Sequence, residues 1–268
     1  MAISEHQSRM IRPPAVAGFF YPADTNELRL MVNQLMEHTQ SQTVAPKAII
    51  APHAGYIYSG PTAAIAYSSL KPLSTKINRV ILLGPAHRVI LRGLALSSAT
   101  HFASPLGEIE IDRSATEQIK DLPQVSVSDI AHQQEHSLEV HLPFLQYLLD
   151  KFLLVPLVVG DASPEEVAEV LEILWGGEET AIVISSDLSH YHDYDTARQI
   201  DAATTRAIEN LQLEEIGPHQ ACGCMPIRGL LQVARYKKLS VDTLDLRNSG
   251  DTAGSRDRVV GYGAYTVS

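Results

Sequence analysis

The chain has 268 residues, 45% of them hydrophobic, with 21 Lys and Arg against 31 Asp and Glu. That length can bury one large core, and a formal charge of −10 argues against a general nucleic-acid binder, which needs clustered cations to meet phosphates. No apolar run approaches the roughly 20 residues of a membrane-spanning helix, and the first residues lack the apolar stretch of a signal peptide, so the expected setting is the cytoplasm, away from membranes.

In chain order, residues 1–12 are expected to be a poorly ordered terminus. PPAVAGFFYPAD (13–24) holds too many breakers for a helix. Asp24 or Thr25 can cap a helix to about His38, whose Leu28, Met31, Val32 and Leu35 recur at the helical period. After a polar connector at 41–46, AIIA (48–51) reads as a short parallel strand covered on both faces, ended by Pro52, with a helix expected from Pro61. RVILLG (79–84) is a second such strand. Residues 93–112 break the alternation and read as an antiparallel excursion, followed by a helix near 113–122. EHSLEVHLPFLQYLLDKF (135–152) is the longest helical pattern, with a kink or late start imposed by Pro143. A strand at 153–160, a helix opened by Ser163-Pro164, a strand at 181–185, helices at 195–210 and 225–237 and two strand-like tail segments complete a single α/β domain over 1–268, a central mostly parallel sheet flanked by helices.

Three of the apolar strands end in IIAPH, ILLGPAH and IVISSDLSH. In a parallel sheet their C-terminal ends share one edge, so His53, His87 and the Asp187/His190 pair are expected to converge although far apart in sequence. Neutral imidazoles with an anionic group and open positions suit a transition metal. His136 can reach the same place from the start of its helix, whereas His141 is expected to be structural and His192 peripheral. The two cysteines, Cys222 and Cys224, are too close for an unstrained disulfide and read as thiols. Cys222 precedes a helix whose N-terminal dipole favours a thiolate.

APHAGYIYSG, LGPAH, EHSLEVHLPFLQ, SSDLSHY and CGCMPI, in this order, resemble the Memo family from about Pro14 to the C-terminus. The resemblance implies a fold similar to class III extradiol dioxygenases, with His53, His87 and Cys222 as metal ligands, His190 and Asp187 as an acid/base pair and His136 lining the pocket. It implies Fe(II), with Cu or Zn as alternatives. The expected function is that of a metal-dependent, dioxygenase-like redox protein acting on an unknown small molecule. The alternative is a non-catalytic adaptor whose cleft holds a peptide or protein. A thiolate in place of the extradiol carboxylate weighs against catechol cleavage. Microbial relatives imply a radical-SAM protein and an AMMECR1-like protein as partners, the AmmeMemoRadiSam association.

Overall fold

The computed structural model describes residues 9–39 and 46–268; the expectations for residues 1–8 and 41–45 lie outside the described residues. In chain order the elements are β1 (Ile11–Arg12), α1 (Thr25–Glu37), β2 (Ala48–Ala51), α2 (Tyr56–Ser68), β3 (Arg79–Pro85), β4 (Leu94–Leu96), β5 (His101–Ser104), β6 (Gly107–Glu110), α3 (Arg113–Ile119) and β7 (Val125–Val127). There follow α4 (Asp129–Gln133), α5 (Leu142–Leu148), β8 (Leu153–Val159), α6 (Pro164–Ile173), β9 (Thr180–Ser185), β10 (His190–His192), α7 (Tyr194–Glu209), α8 (Cys224–Lys237), β11 (Val241–Asn248) and β12 (Val259–Val267).

The most apolar strands form the middle of the molecule. β2, β9, β3 and β8 lie side by side in parallel, and nearly all their residues are buried. Alternate residues face opposite ways. Ile50, Leu83, Leu157 and Ile184 pack with residues of α6, α7 and α8, while Ile49, Leu82, Leu154 and Val183 pack with α1, α2 and α5. Helices on both faces explain why these strands read as continuous apolar runs. Antiparallel pairs frame this core: β12 lies against β2 on one side and β4 against β8 on the other. β10 and β11 add to β12, and β7 to β4, giving nine strands; β1, β5 and β6 form a separate small sheet. The fold is thus α/β, with the expected antiparallel excursion supplied by β4 to β6.

Local chemistry sets several boundaries. Asp24 caps α1 by accepting from the N–H groups of Asn26 and Glu27. Ser163 and Glu166 form a reciprocal capping box at α6, whose first residue is Pro164.

Two expectations are corrected and one is met. α2 begins at Tyr56, five residues before Pro61, so the proline sits inside the helix and one hydrogen bond is forgone there. Tertiary contacts compensate, since Tyr56 donates its N–H to the Phe20 carbonyl (2.8 Å) and its hydroxyl to the Val140 carbonyl (2.6 Å). Second, of the kink or late start expected from Pro143 in 135–152, the structure shows the late start: a 3₁₀ turn over Glu139–His141 precedes α5, and Pro143 lies in the first turn of α5. The Glu135 carboxylate accepts from the N–H groups of His136 and Ser137, both at 2.9 Å, and competes with helix formation. Third, the terminus expected to be poorly ordered over 1–12 is structured at its described end, Ile11–Arg12. Ile11–Arg12 pairs with β5, and Arg12 is buried in an ion pair with Glu139.

Candidate metal centre

The C-terminal ends of β2, β3 and β9 open onto one cavity of about 870 Å³. This is the crevice where open parallel sheets hold ligands. Its walls include His53, His87, His136, Asp187, His190 and Cys222, so all six residues singled out in the sequence reach one place. Cys224, by contrast, is buried in the core among α6 and α8 residues.

His53 is almost fully buried just beyond β2. Its Nδ1 lies 2.6 Å from the Ser185 hydroxyl, and that hydroxyl donates to the Ser137 carbonyl, also at 2.6 Å. The serine hydrogen being committed, Nδ1 must carry the proton and donate, which leaves the lone pair on Nε2. Burial, reinforced by the other imidazoles, drives the His53 pKa well below that of an ordinary histidine, so the ring is neutral.

His87 follows β3 in a short loop. Glu135 grips it twice, accepting from the backbone N–H (2.6 Å) and facing Nδ1 at 2.9 Å. Burial alone would raise the Glu135 pKa, but hydrogen bonds and charge from His87, with backbone N–H groups, outweigh it and hold it at about 2. An ionised carboxylate can only accept, so Nδ1 of His87 is the protonated nitrogen and Nε2 is again free.

His136 belongs to the same gripped loop. Its ring stacks on that of His87, with centroids 4.7 Å apart and an interplanar angle of 18°, and it also touches Phe20. Burial lowers its pKa to about 4. Its Nδ1 is buried with no hydrogen-bond partner, 3.4 Å from Glu135. An unpaired buried nitrogen is costly unless something else engages it.

One ring nitrogen each from His53, His87 and His136 lie within 4.8 Å of one another, so the three can hold a metal ion. Two preset tautomers, each fixed by a partner behind the ring, match the usual construction around ligating histidines. The residues therefore fit a transition metal that accepts neutral imidazole.

Cys222 stands beside this trio rather than within it. Its Sγ is 3.3 Å from Nε2 of His53 and accepts from the Asp187 N–H at 3.2 Å. Burial, then the Asp187 charge, pushes the thiol pKa up, against the expectation that a helix dipole lowers it. The helix begins at Cys224, and its field is overridden by desolvation.

Asp187 accepts from the His53 backbone N–H at 2.8 Å and lies 4.0 Å from Nε2 of the same ring. Burial raises its pKa. His190, expected to form an acid/base pair with Asp187, donates from its Nδ1 to the Leu188 carbonyl at 2.8 Å instead. The loop carrying both is stapled by Asp201 of α7, which accepts from the Ser189 N–H at 2.9 Å. His141 is buried on the far side with Nδ1 against the Tyr67 hydroxyl, as a structural residue would be.

Glu135 and Ser185 stand behind the rings of His87 and His53, and neither was singled out in the sequence as a site residue. Glu135 adjoins His136, and Ser185 is the last residue of an apolar strand. Arg88, His219 and Arg258, which also line the cavity, carried no motif.

The sequence profile of the Memo-like protein family matches residues 12–266. A MEMO1 family protein of Aquifex aeolicus is 37% identical over 265 residues, covering 94% of this chain and 97% of that one. Relatives of the same name from Methanosarcina barkeri and Archaeoglobus fulgidus are 35% and 36% identical, covering 96% and 94% of this chain and 100% and 97% of their own. A crystal structure of an uncharacterized protein from Escherichia coli K12 is a distant likeness, with TM-score 0.44 and 15% identity over 80% of this chain and 98% of that one.

Proposed function

The chain belongs to the Memo-like family, and we propose that it is a metal-dependent redox protein, dioxygenase-like, acting on a small molecule bound in the cavity at the strand ends. The observation that carries this reading is the trio of His53, His87 and His136, two of whose rings are locked with Nε2 free. Iron(II) is the proposed ion, with copper or zinc as the alternatives. Bound there, it would supply Lewis acidity or one-electron chemistry.

The chain's own residues divide the remaining work. Glu135 and Ser185 hold the ligand rings in position and in the required tautomer. Asp187 fixes the backbone of His53. His190, whose Nδ1 proton is tied to its own loop, presents Nε2 to the cavity and can take a proton from a bound substrate. Cys222 is a fourth donor at hand. Coordination would require it to lose its proton, as metal-bound thiols do.

Metal analysis of anaerobically purified protein is expected to find about one ion per chain, reduced to background in His53→Ala and His87→Ala while circular dichroism is unchanged. Oxygen uptake is then assayed over small phenols, thiols and peroxide. Full metal occupancy in both variants would refute the ligand assignment.

A second reading is a cleft that binds a peptide or partner without turnover. The size of the cavity favours it, since 870 Å³ far exceeds what a metal and a diatomic require. On that reading no oxygen is consumed, and capture of a partner, with the radical-SAM and AMMECR1-like proteins tested first, survives His53→Ala.

A further inference from the structure

The charges lining the cavity do not resemble those of the rest of the chain. Acidic residues outnumber basic ones by 31 to 21 overall, yet around the cavity Asp187 is the one carboxylate against the two guanidinium groups of Arg88 and Arg258. Asp187 is buried at the floor and engaged by the His53 N–H, so it offers little to neutralise a cation at the rim.

Elsewhere, among the described residues, six of the other twelve arginines are ion-paired with a carboxylate, and Arg29, Arg113, Arg198, Arg206, Arg228 and Arg256 line no part of this cavity. Arg92 meets Glu166 through both nitrogens (2.8 and 2.7 Å), Arg235 meets Glu214 the same way, Arg79 meets Asp112 and Arg247 meets Asp245. A hollow of nearly equal size, about 850 Å³, at the far side of the small sheet sets three carboxylates against Arg9 and Lys151, and Arg9 is paired with Glu108. Among the described residues Arg88 and Arg258 have no carboxylate partner. Arg258 lies over the exposed ring of Tyr191, its guanidinium carbon 5.1 Å from the centroid, which steadies the group while leaving its donors unspent. Arg88 follows the ligand His87 directly and acts electrostatically on His136, so it stands on the metal side of the cavity.

We propose that the cavity takes an organic anion, a molecule bearing a carboxylate or a phosphate group, and that Arg88 and Arg258 are the residues that select it. This rests on the reading of the cavity as a small-molecule site and names the class of molecule. Guanidinium groups free of internal partners are the usual means of recognising both groups. The positive rim also draws an anion toward a chain whose overall charge would repel it.

The test is calorimetric titration of the full-length protein with benzoate, phenyl phosphate and benzyl alcohol, with the metal content of every sample recorded. At least one anion is expected to bind at millimolar concentration or below, with affinity falling as salt is added, and benzyl alcohol is expected to bind far more weakly. Preference for benzoate or for phenyl phosphate identifies the group recognised. Arg88→Gln and Arg258→Gln are each expected to weaken the anion about tenfold and to leave benzyl alcohol and metal content unchanged. Both side chains are exposed, so these variants should fold. The proposal is overturned if benzyl alcohol binds as tightly as the anions, if neither variant loses affinity, or if neither anion binds. An anion that binds only to metal-loaded protein, with affinity indifferent to both arginines, is held by the metal and also overturns it. Absence of metal from the wild-type protein, by contrast, counts against the proposed function alone.

Discussion

Glu135 and Glu139 lie four residues apart, both buried, both engaged by several donors, and they serve different ends. Glu139 accepts from Arg12, from the N–H groups of Ala15 (2.7 Å) and Val16 (2.9 Å) and from the Tyr21 hydroxyl (2.5 Å). The other donors end on the carboxylate, while Arg12 also donates to the His132 and Glu135 carbonyls. The result is a closed staple that ties the opening segment to the body of the fold. Glu135 accepts from His87 and from its own loop, and the ring it grips has a second nitrogen that faces a cavity. Burial and a full set of hydrogen bonds therefore do not distinguish a functional carboxylate from a structural one. What lies on the other side of its partners does.

Breaking the staple should have the largest effect on stability. Arg12→Ala leaves Glu139 buried without its cation and is expected to cost about 3–5 kcal/mol in urea unfolding, while metal per folded chain stays at the wild-type level. Loss of metal in step with stability would merge the two roles.

Acid should come next. His132 and His141 are buried with pKa values lowered by desolvation to about 4 and about 3, from an ordinary 6.5. The unfolded chain then binds protons that the folded one does not. Their stability contribution is complete above pH 6.5 and is lost as pH falls toward 4, on the order of 3 kcal/mol each. Asp187 and Asp201, whose pKa values burial raises, act with the opposite sign and reduce the loss. Denaturant midpoints between pH 7 and 4 measure this; a flat profile would mean these histidines are not buried as neutral rings.

Glu135→Gln sharpens the contrast from the other side. It should cost only about 1–3 kcal/mol but weaken metal affinity by about 10–100-fold, read by competition with a chelator. Ser185→Ala is the mildest change: about 1 kcal/mol of stability and roughly tenfold in affinity, because His53 keeps its place but loses the partner that fixes its tautomer. If both variants bound metal as the wild type does, the carboxylate and the hydroxyl would be packing groups and nothing more.

The fold was legible where one physical cause dominated. The parallel strands are apolar over their whole length, and their ends gave His53, His87 and Asp187 from the sequence. Capping signals placed α1 and α6. Legibility failed where a side chain overrode a local pattern. Tyr56 anchors a helix that the sequence starts only at Pro61, and the Glu135 carboxylate takes the N–H groups of His136 and Ser137 ahead of the late start that Pro143 signals. Glu135, Ser185, Arg88 and Arg258 escaped notice because their roles depend on which residues lie across from them, and one-dimensional spacing does not carry that information. The thiol of Cys222 misled for a related reason, since a helix dipole can be inferred from sequence and desolvation cannot.

The central claim is that His53, His87 and His136 share one metal ion. Crystals grown anaerobically with Fe(II), measured at the iron absorption edge, test it directly. The expected result is a single anomalous peak at about 2.0–2.2 Å from Nε2 of His53 and of His87, within bonding distance of a ring nitrogen of His136, which disappears in His53→Ala. A peak bound elsewhere, or none at saturating iron, would contradict it.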